Sequence, residues 1–576
     1  MGTLPMFALA VVIGVFGGFG SIAFESVIAV FHNLFFYGEL SARYDAKAPM
    51  APSDFGAAVI LVPVVGAVIV TWITRNLAPE ARGRGVAEVL TAIHHEHGRI
   101  RPQVLLAKAL ASAVSIGTGG SVGREGPIIQ MGSAFGSTLG QLAHIPTRQS
   151  VVLIAAGAAA GIAATFNAPI GGLAFAMELL LVSISAQAIA LVATATVTAT
   201  YIGRVYSGLA PSFDVPAIAQ FGDHLVSLYS LLICIPFGVL LGGLSAVMIY
   251  GLSWLENSFE RLFPNEYLRH MAGMLAVGLL LYGLLLAVDR YYVAGVGYAT
   301  ILDVLRGVLS DPGLLALLFV AKLLATGLTL GSGASGGVFA PSLFLGATLG
   351  GSTGHLVDWV FPGLGIEPVV VALAGMAGIV GGTTGAVLTA ITMIMEQTRD
   401  YAAILPIIAT VAIAFAVRAG ITAENIYTFR LAQAGATVPQ GLQSGIATAH
   451  SAYSIMSADF QLIDIHRLSD WLRAGGLEQG HLHTVVTRGN RIVGVLRPES
   501  PHLRSDRNPS KAVDRNILLV TPQTSLPAIM RGMHERGTEI ALVTRERRFR
   551  QWRHLEGIIT SHEVTATAID SAELLE

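Results

Sequence analysis

Glu125 stands in the run Gly123-Arg124-Glu125-Gly126-Pro127, inside a chain that is 53% hydrophobic and only 12% charged. An ionisable group in such surroundings is costly, so it marks a candidate functional site. The glycines beside it signal backbone that is not ordinary helix. Irregular backbone at membrane depth persists only where it is buried in protein or lines a cavity. Glu125 therefore reads as a charge on a polar pathway. Three Gly-rich segments precede helical patterns: Gly83-Arg84-Gly85, Gly117 to Gly126, and Gly331 to Gly337. Helix N-termini carry unpaired N–H groups and partial positive charge, which suit an anion. Glycine lets that backbone come close to a ligand. Taken singly, each segment is better explained by close helix packing, which small residues also allow. Three of them, with Glu125 among them, favour an anion site.

The elements that must position these residues are apolar. Mean hydropathy is +0.65. Apolar runs recur at Leu4 to Phe36, Ala57 to Ile73, Ser150 to Ala164, Gly171 to Ile202, Leu225 to Tyr250, Leu268 to Ala287, Leu314 to Leu330, Val369 to Met395 and Ile404 to Ile421. Several reach the roughly 20 residues that span a bilayer. Others are shorter and cut by glycine, as broken or tilted helices would be. The first run is too long for a signal-peptide core and reads as a retained helix. The formal net charge is −2, and no basic stripe suggests nucleic-acid binding. The single cysteine, Cys234, excludes an intrachain disulfide and a cysteine metal site, and reads as a buried small hydrophobe.

The membrane part repeats itself. When the chain is slid along itself so that Lys108 falls on Lys322, Gly117 meets Gly331, Gly123 meets Gly337, Pro127 meets Pro341 and Gly132 meets Gly346. Slightly shifted registers pair Gly157 with Gly375, Glu178 with Glu396, and Gly83-Arg84-Gly85 with Gly295-Val296-Gly297. Two related halves with Gly- and Pro-interrupted helices at matching places point to a transport site between them. The matches leave open whether the halves are parallel or inverted. The expected organisation is a membrane domain over 1–435, with half-repeats over about 1–210 and 222–435. A linker over 436–450 and a soluble domain over 451–576 follow.

The segments Gly123-Arg124-Glu125-Gly126-Pro127, Gly336-Gly337-Val338-Phe339-Ala340-Pro341 and Gly83-Arg84-Gly85-Val86-Ala87-Glu88 resemble the three signature segments of the CLC family of chloride channels and chloride/proton antiporters. The resemblance runs from about Gly14 to Leu431. It includes Phe166-Asn167-Ala168-Pro169, Met395-Glu396-Gln397-Thr398 and Tyr427. It implies an all-α polytopic membrane protein with an inverted-repeat fold of broken, tilted helices. It also implies a homodimer in the cell membrane, with a separate anion pathway in each subunit. By position, Glu125 matches the gating glutamate. Gly83, Arg84 and Gly85 fall on the segment beside the anion. Val338 and Phe339 match residues whose backbone N–H groups face it, and Tyr427 matches a tyrosine whose hydroxyl caps it. Taken alone, Tyr427 is better read as an interfacial aromatic. Glu178 and Glu396 read as capping or packing groups.

Two departures matter. The family pattern has serine where this chain has Arg84. Pointing inward, its planar fork would suit bicarbonate or another oxyanion; pointing outward, it would snorkel to water. The outward direction is favoured, because a fixed cation would hold an anion too tightly for release. Leu179 stands where many antiporters carry a second glutamate that takes protons from the inner side. Leucine carries no proton, so the sequence leans toward channel-like or weakly coupled conduction. Chloride/proton exchange, through water or Glu178, is the alternative.

The tail holds two similar units, from Met456 to Leu496 and from Val513 to Thr560, resembling a tandem pair of CBS domains with an α/β fold. Many family members carry such a pair on the cytoplasmic side. An adenine nucleotide would meet Thr560 and Glu563 in the second unit, where Glu563 replaces the usual Asp. Arg497-Pro498-Glu499-Ser500 in the first unit lacks the motif. A purely structural role in dimerisation fits equally well. His554 and His562 read as surface histidines. A membrane-anchored nucleotide sensor is the rival of another class, but a plain anchor needs neither paired broken helices nor Glu125. No metal cluster, nucleophile motif or phosphate loop suggests an enzyme, and no other cofactor is implied.

Overall fold

The computed structural model describes residues 2–215, 228–399, 401–434, 436, 438, 451–476, 483–496, 509–522, 524–545 and 552–565. The chain separates into two compact units, Met1–Val438 and Pro439–Glu576. Most of the expected linker, and all of Arg497 to Ser500, lie outside the described residues.

The first unit is helical. Among the described residues, eight helices are long and apolar enough to cross a membrane, from Thr3–Tyr37 to Ile404–Ile421. Many of their large apolar side chains, such as Phe19, Trp72, Leu279 and Leu324, are exposed. In a soluble protein such faces would aggregate; in a bilayer they meet lipid. This is a multi-pass membrane protein. Two runs that read as single spans are broken. Val369 to Met395 becomes Pro368–Thr384 and Val387–Thr398, because Gly385 ends the first helix at φ +74°. Gly171 to Ile202 becomes the short helix Pro169–Phe175, a π turn at Ala176–Leu180, and Ala186–Ser207, whose first turn is capped by Ser185. π turns are rare and concentrate at functional places.

Equivalent contacts are made twice, once in each half, and one pair of them crosses between the halves. Lys108 Nζ donates to the carbonyls of Ala81 (3.1 Å) and Gly83 (2.8 Å). Its mate Lys322 donates to those of Val293 (3.1 Å) and Gly295 (2.8 Å). Both ammonium groups are fully buried. Each neutralises backbone that glycine has bent out of helix, which would otherwise leave carbonyls unpaired. Gly132 packs on the backbone of Gly157, and Gly346 on that of Gly375; a Cβ at any of the four would strike a carbonyl oxygen. Glu178 accepts from the N–H groups of Leu388 (2.7 Å) and Thr389 (2.8 Å), capping Val387–Thr398 in the other half. Glu396 accepts from Ile170 (3.1 Å) and Gly171 (2.7 Å), capping Pro169–Phe175 in the first half. Such exchange between repeat mates is what a local two-fold axis produces.

The second unit is α/β. β1 (Phe460–Asp464), β2 (His483–Arg488), β3 (Arg491–Leu496) and β4 (Val513–Asp514) form one sheet in that order. β5 (Leu518–Val520), β6 (Ile540–Thr544) and β7 (Leu555–Thr560) form the other. In each, a parallel pair (β1–β2, β5–β6) is followed by an antiparallel one (β2–β3, β6–β7). Ser457 and Ile558 exchange backbone bonds and join the two sheets' units.

Candidate anion site

The three glycine segments meet. Gly123 and its repeat mate Gly337 exchange both backbone bonds, at 2.8 and 2.7 Å, and Gly336 N–H donates to Gly83 O at 3.2 Å. Gly83 and Gly85 both sit at φ +87°, a region costly for residues with a Cβ. Gly85 and Gly126 touch backbone to backbone, and Gly126 lies on the carbonyl of Arg84. From this junction three helices depart: Val86–His95 with Gly85 as N-cap, Glu125–Leu142, and Phe339–Val360 with Val338 as N-cap. None of these N-caps uses a side chain, so the first N–H groups of each helix are left for something else.

Glu125, 2% exposed, sits at the start of its helix. Its Oε1 accepts from the Tyr298 hydroxyl at 3.1 Å. Its Oε2 lies over Gly123 and Gly337, where any Cβ would intrude. The carboxylate thus fills the space that these glycines leave. The backbone of Ala340 and the Arg124 guanidinium lie within electrostatic reach of it. Arg124 itself pairs with Glu25 at 3.1 Å and rests over the Tyr298 ring. A cavity of about 140 Å³ lies beyond, lined by Glu25, Lys47, Arg124, Asn167, Arg204 and Tyr298 among others. Three cations against one carboxylate make it an approach suited to anions. Val338 and Phe339 are buried at the junction, with Phe339 against the Phe166 ring at 5.5 Å.

Tyr427 is buried, and both Glu125 and Arg84 are within electrostatic reach of its hydroxyl. Its segment is held by Asn425 Oδ1, which accepts from the N–H groups of Tyr427 (2.9 Å) and Thr428 (3.0 Å). The N–H of Ile426 donates to Thr383 O at 2.9 Å.

Arg84 does not snorkel. Only 7% exposed, it donates through Nη1 to the carbonyl of Ile426 and through Nη2 to Glu256 Oε1 at 2.7 Å. The outward direction expected from the sequence is corrected by a buried counter-charge on the distant helix Leu228–Leu262. Its fork is also already engaged, so bidentate capture of an oxyanion would require breaking the Glu256 pair. Glu178 is likewise spoken for: its Oε2 accepts from Thr389 Oγ1 at 2.7 Å in addition to the two backbone bonds. It is a cap for the helix Val387–Thr398.

Sequence reasoning missed Tyr298 and Glu256. Tyr298 directly follows Gly295-Val296-Gly297, the mate of Gly83-Arg84-Gly85, so the repeat register could have raised it. Glu256 lies past the apolar run that ended at Tyr250, where a charge looks ordinary. Tyr298→Phe is expected to loosen the hold on Glu125, so that anion displaces the carboxylate more readily. The concentration of chloride giving half-maximal flux should fall about threefold, the worth of a partly offset hydrogen bond. An unchanged value would show that the hydroxyl does not restrain the carboxylate.

A sequence model of the family described as "Voltage gated chloride channel" matches residues 66–419. This chain belongs to that family. Among CLC relatives, the H(+)/Cl(-) exchange transporter ClcA of Vibrio parahaemolyticus serotype O3:K6 is 31% identical over 417 residues, covering 70% of this chain and 84% of the relative. ClcA of Citrobacter koseri is 30% identical over 421 residues, covering 71% and 84%. Among solved structures, a slow cyanobacterial Cl-/H+ antiporter superposes with a TM-score of 0.64 at 28% identity, over 74% of this chain and 97% of that one. A eukaryotic CLC transporter, at 20% identity, shares the fold over 97% of this chain and 98% of its own, with a TM-score of 0.62. The inverted-repeat CLC fold read from the sequence is therefore the fold of the membrane unit.

In the tail, Thr560 and Glu563 are adjacent and already paired. Glu563 Oε2 accepts from the Thr560 N–H at 2.8 Å and from its hydroxyl, and Oε1 faces His483 at 3.3 Å. Burial disfavours the Glu563 charge, but the bonds from Thr560 and then His483 outweigh it and hold the carboxyl below its usual range. Among the described residues no group of His, Cys, Asp and Glu could hold a metal.

Proposed function

We propose that this protein carries chloride across a membrane in exchange for protons, with Glu125 as the group that serves both ions. The supporting observation is the Glu125 carboxylate lying over Gly123 and Gly337 where three helix starts converge. That place is electropositive by its backbone and accepts one anion at a time, a carboxylate or a chloride. Protonation, or displacement by chloride, would release the side chain. Arg84, Val338, Phe339 and Tyr427 would surround the anion: the helix-start N–H groups from one side, the Tyr427 hydroxyl from the other. Lys47, Arg124 and Arg204 would draw anions into the cavity behind Tyr298.

Exchange is preferred to the channel-like conduction that Leu179 suggested, because the relatives matched over most of their length are exchange transporters by name. With Leu179 apolar and Glu178 bound up as a cap, protons would reach Glu125 along water and not through a carboxylate relay. Coupling of that kind is expected to be weaker than with a dedicated acceptor. The test is the reversal potential of reconstituted protein under opposed chloride and pH gradients. Exchange places it between the chloride and proton potentials at a fixed ratio. A value at the chloride potential, whatever the pH gradient, would replace exchange by passive conduction.

The family resemblance further supports a homodimer with the tail on the cytoplasmic side. The paired β units of the tail favour a CBS-like role there. An adenine nucleotide at Thr560 and Glu563 would have to displace the bond to His483, and titration of the purified protein with ATP would detect it.

A further inference from the structure

We infer that Glu256 is a built-in counter-ion that sets how strongly the anion site holds its anion, acting through Arg84. The inference deepens the chloride-exchange reading and rests on it. Three observations carry it. Arg84 belongs to the junction: its carbonyl lies on Gly126, the residue after Glu125, and its guanidinium braces the Ile426 carbonyl, the residue before Tyr427. The backbone of Arg84 is thus part of the junction, and its full positive charge stands beside the Tyr427 segment. Glu256 meets that charge at 2.7 Å with both side chains about nine-tenths buried, so water screens the pair poorly. Finally, Glu256 is shared. Its Oε2 accepts from Arg430 at 3.1 Å, and Arg430, which is half exposed, also reaches Glu260 at 3.3 Å. The same helix that bears Glu256 holds the stretch after Tyr427 through Ser253 and Gln433, 3.1 Å apart.

The arrangement answers a physical difficulty. An uncompensated arginine beside a permeating anion would trap it, and transport needs binding weak enough for release. Glu256 cancels the charge without removing the brace on Ile426. Arg430 then trims the cancellation, because it draws part of the same carboxylate. The net charge of the Arg84–Glu256–Arg430 triad is +1, and chloride affinity should follow that charge.

The experiment is chloride binding by calorimetry on the purified full-length protein, with turnover measured in proteoliposomes. Glu256→Gln takes the triad to +2 and is expected to tighten chloride by about tenfold while slowing turnover. Arg430→Gln, at an exposed position that leaves the core intact, takes it to zero and should weaken chloride about two- to threefold. The double variant Arg84→Ser/Glu256→Gln should bind chloride close to the wild type. The ordering Glu256→Gln, wild type, Arg430→Gln supports the counter-ion. Equal affinities in all three overturn it, as does loss of binding in Glu256→Gln that Arg84→Ser does not restore. Loss of proton transport in Glu256→Gln with chloride affinity unchanged also overturns it, in favour of a relay. If Glu256→Gln does not fold, the Arg430→Gln arm alone decides: an affinity equal to or tighter than wild type sinks the proposal. Absence of chloride binding and flux in the wild type would instead remove the transport reading beneath it.

Discussion

Chloride flux through Glu125→Gln is expected to be independent of pH, and chloride-driven proton uptake is expected to vanish. The amide keeps the size of the side chain and its place over Gly123 and Gly337, but it cannot bind or release a proton. Nor does it carry the charge that competes with chloride for the helix starts. A single carboxyl that gates by protonation lets wild-type flux change by up to roughly tenfold per pH unit on its limiting side. The variant should show none of that slope. Proton uptake read by a pH electrode in lightly buffered proteoliposomes, beside chloride efflux at several pH values, makes both comparisons in one preparation. A variant that still pumps protons at a fixed ratio would place the shared carboxyl elsewhere.

The second large effect should come from adding one methyl group. Gly123 is not among the glycines with positive φ, so alanine can adopt its backbone. A Cβ there would fall on Glu125 Oε2, with Cδ at 2.8 Å and Oε1 at 3.0 Å. Every near neighbour is the end of a flexible side chain, so the carboxylate gives way. Gly123→Ala is therefore expected to hold the gate open. Flux at pH 7.5 should rise severalfold, approaching that of Glu125→Ala, with most of the pH dependence gone; one strongly overlapping contact is worth kilocalories. Gly337→Ala is the control. Its Cβ would meet the Gly126 amide nitrogen at 2.7 Å, and backbone at a helix junction cannot step aside. That variant should fold poorly. Wild-type flux and pH slope in Gly123→Ala would mean that the carboxylate does not rest where the structure has it.

Much of this is legible in the sequence. Paired Lys108 and Lys322, and paired Gly123 and Gly337, set the repeat register, because buried lysines and junction glycines are constrained by backbone geometry rather than by local propensity. The capping role of Glu178 and Glu396 was legible too. What hydropathy could not reveal was where a run breaks, since Gly385 interrupts a stretch that is apolar on both sides. The direction of Arg84 was misjudged because its partner, Glu256, lies 172 residues away. A counter-charge so distant leaves no local pattern. Tyr298 escaped for the opposite reason. Its repeat mate, Val86, has no hydroxyl, so the symmetry that exposes the site conceals a residue that departs from it.

The crossed caps of Glu178 and Glu396 also bear on how the chain is made. Pro169–Phe175 is threaded into the bilayer early, yet the carboxylate that satisfies its first N–H groups lies 226 residues downstream. Until the ribosome has delivered Glu396, the first N–H groups of that helix lack the carboxylate that accepts from them in the finished fold. The reverse debt is already settled: Glu178 is waiting when Val387–Thr398 arrives. Biogenesis is thus asymmetric although the finished halves are not. A translocon or a membrane chaperone has to shelter the first half, and a chain truncated between the two halves should be cleared by quality control rather than accumulate as half a transporter.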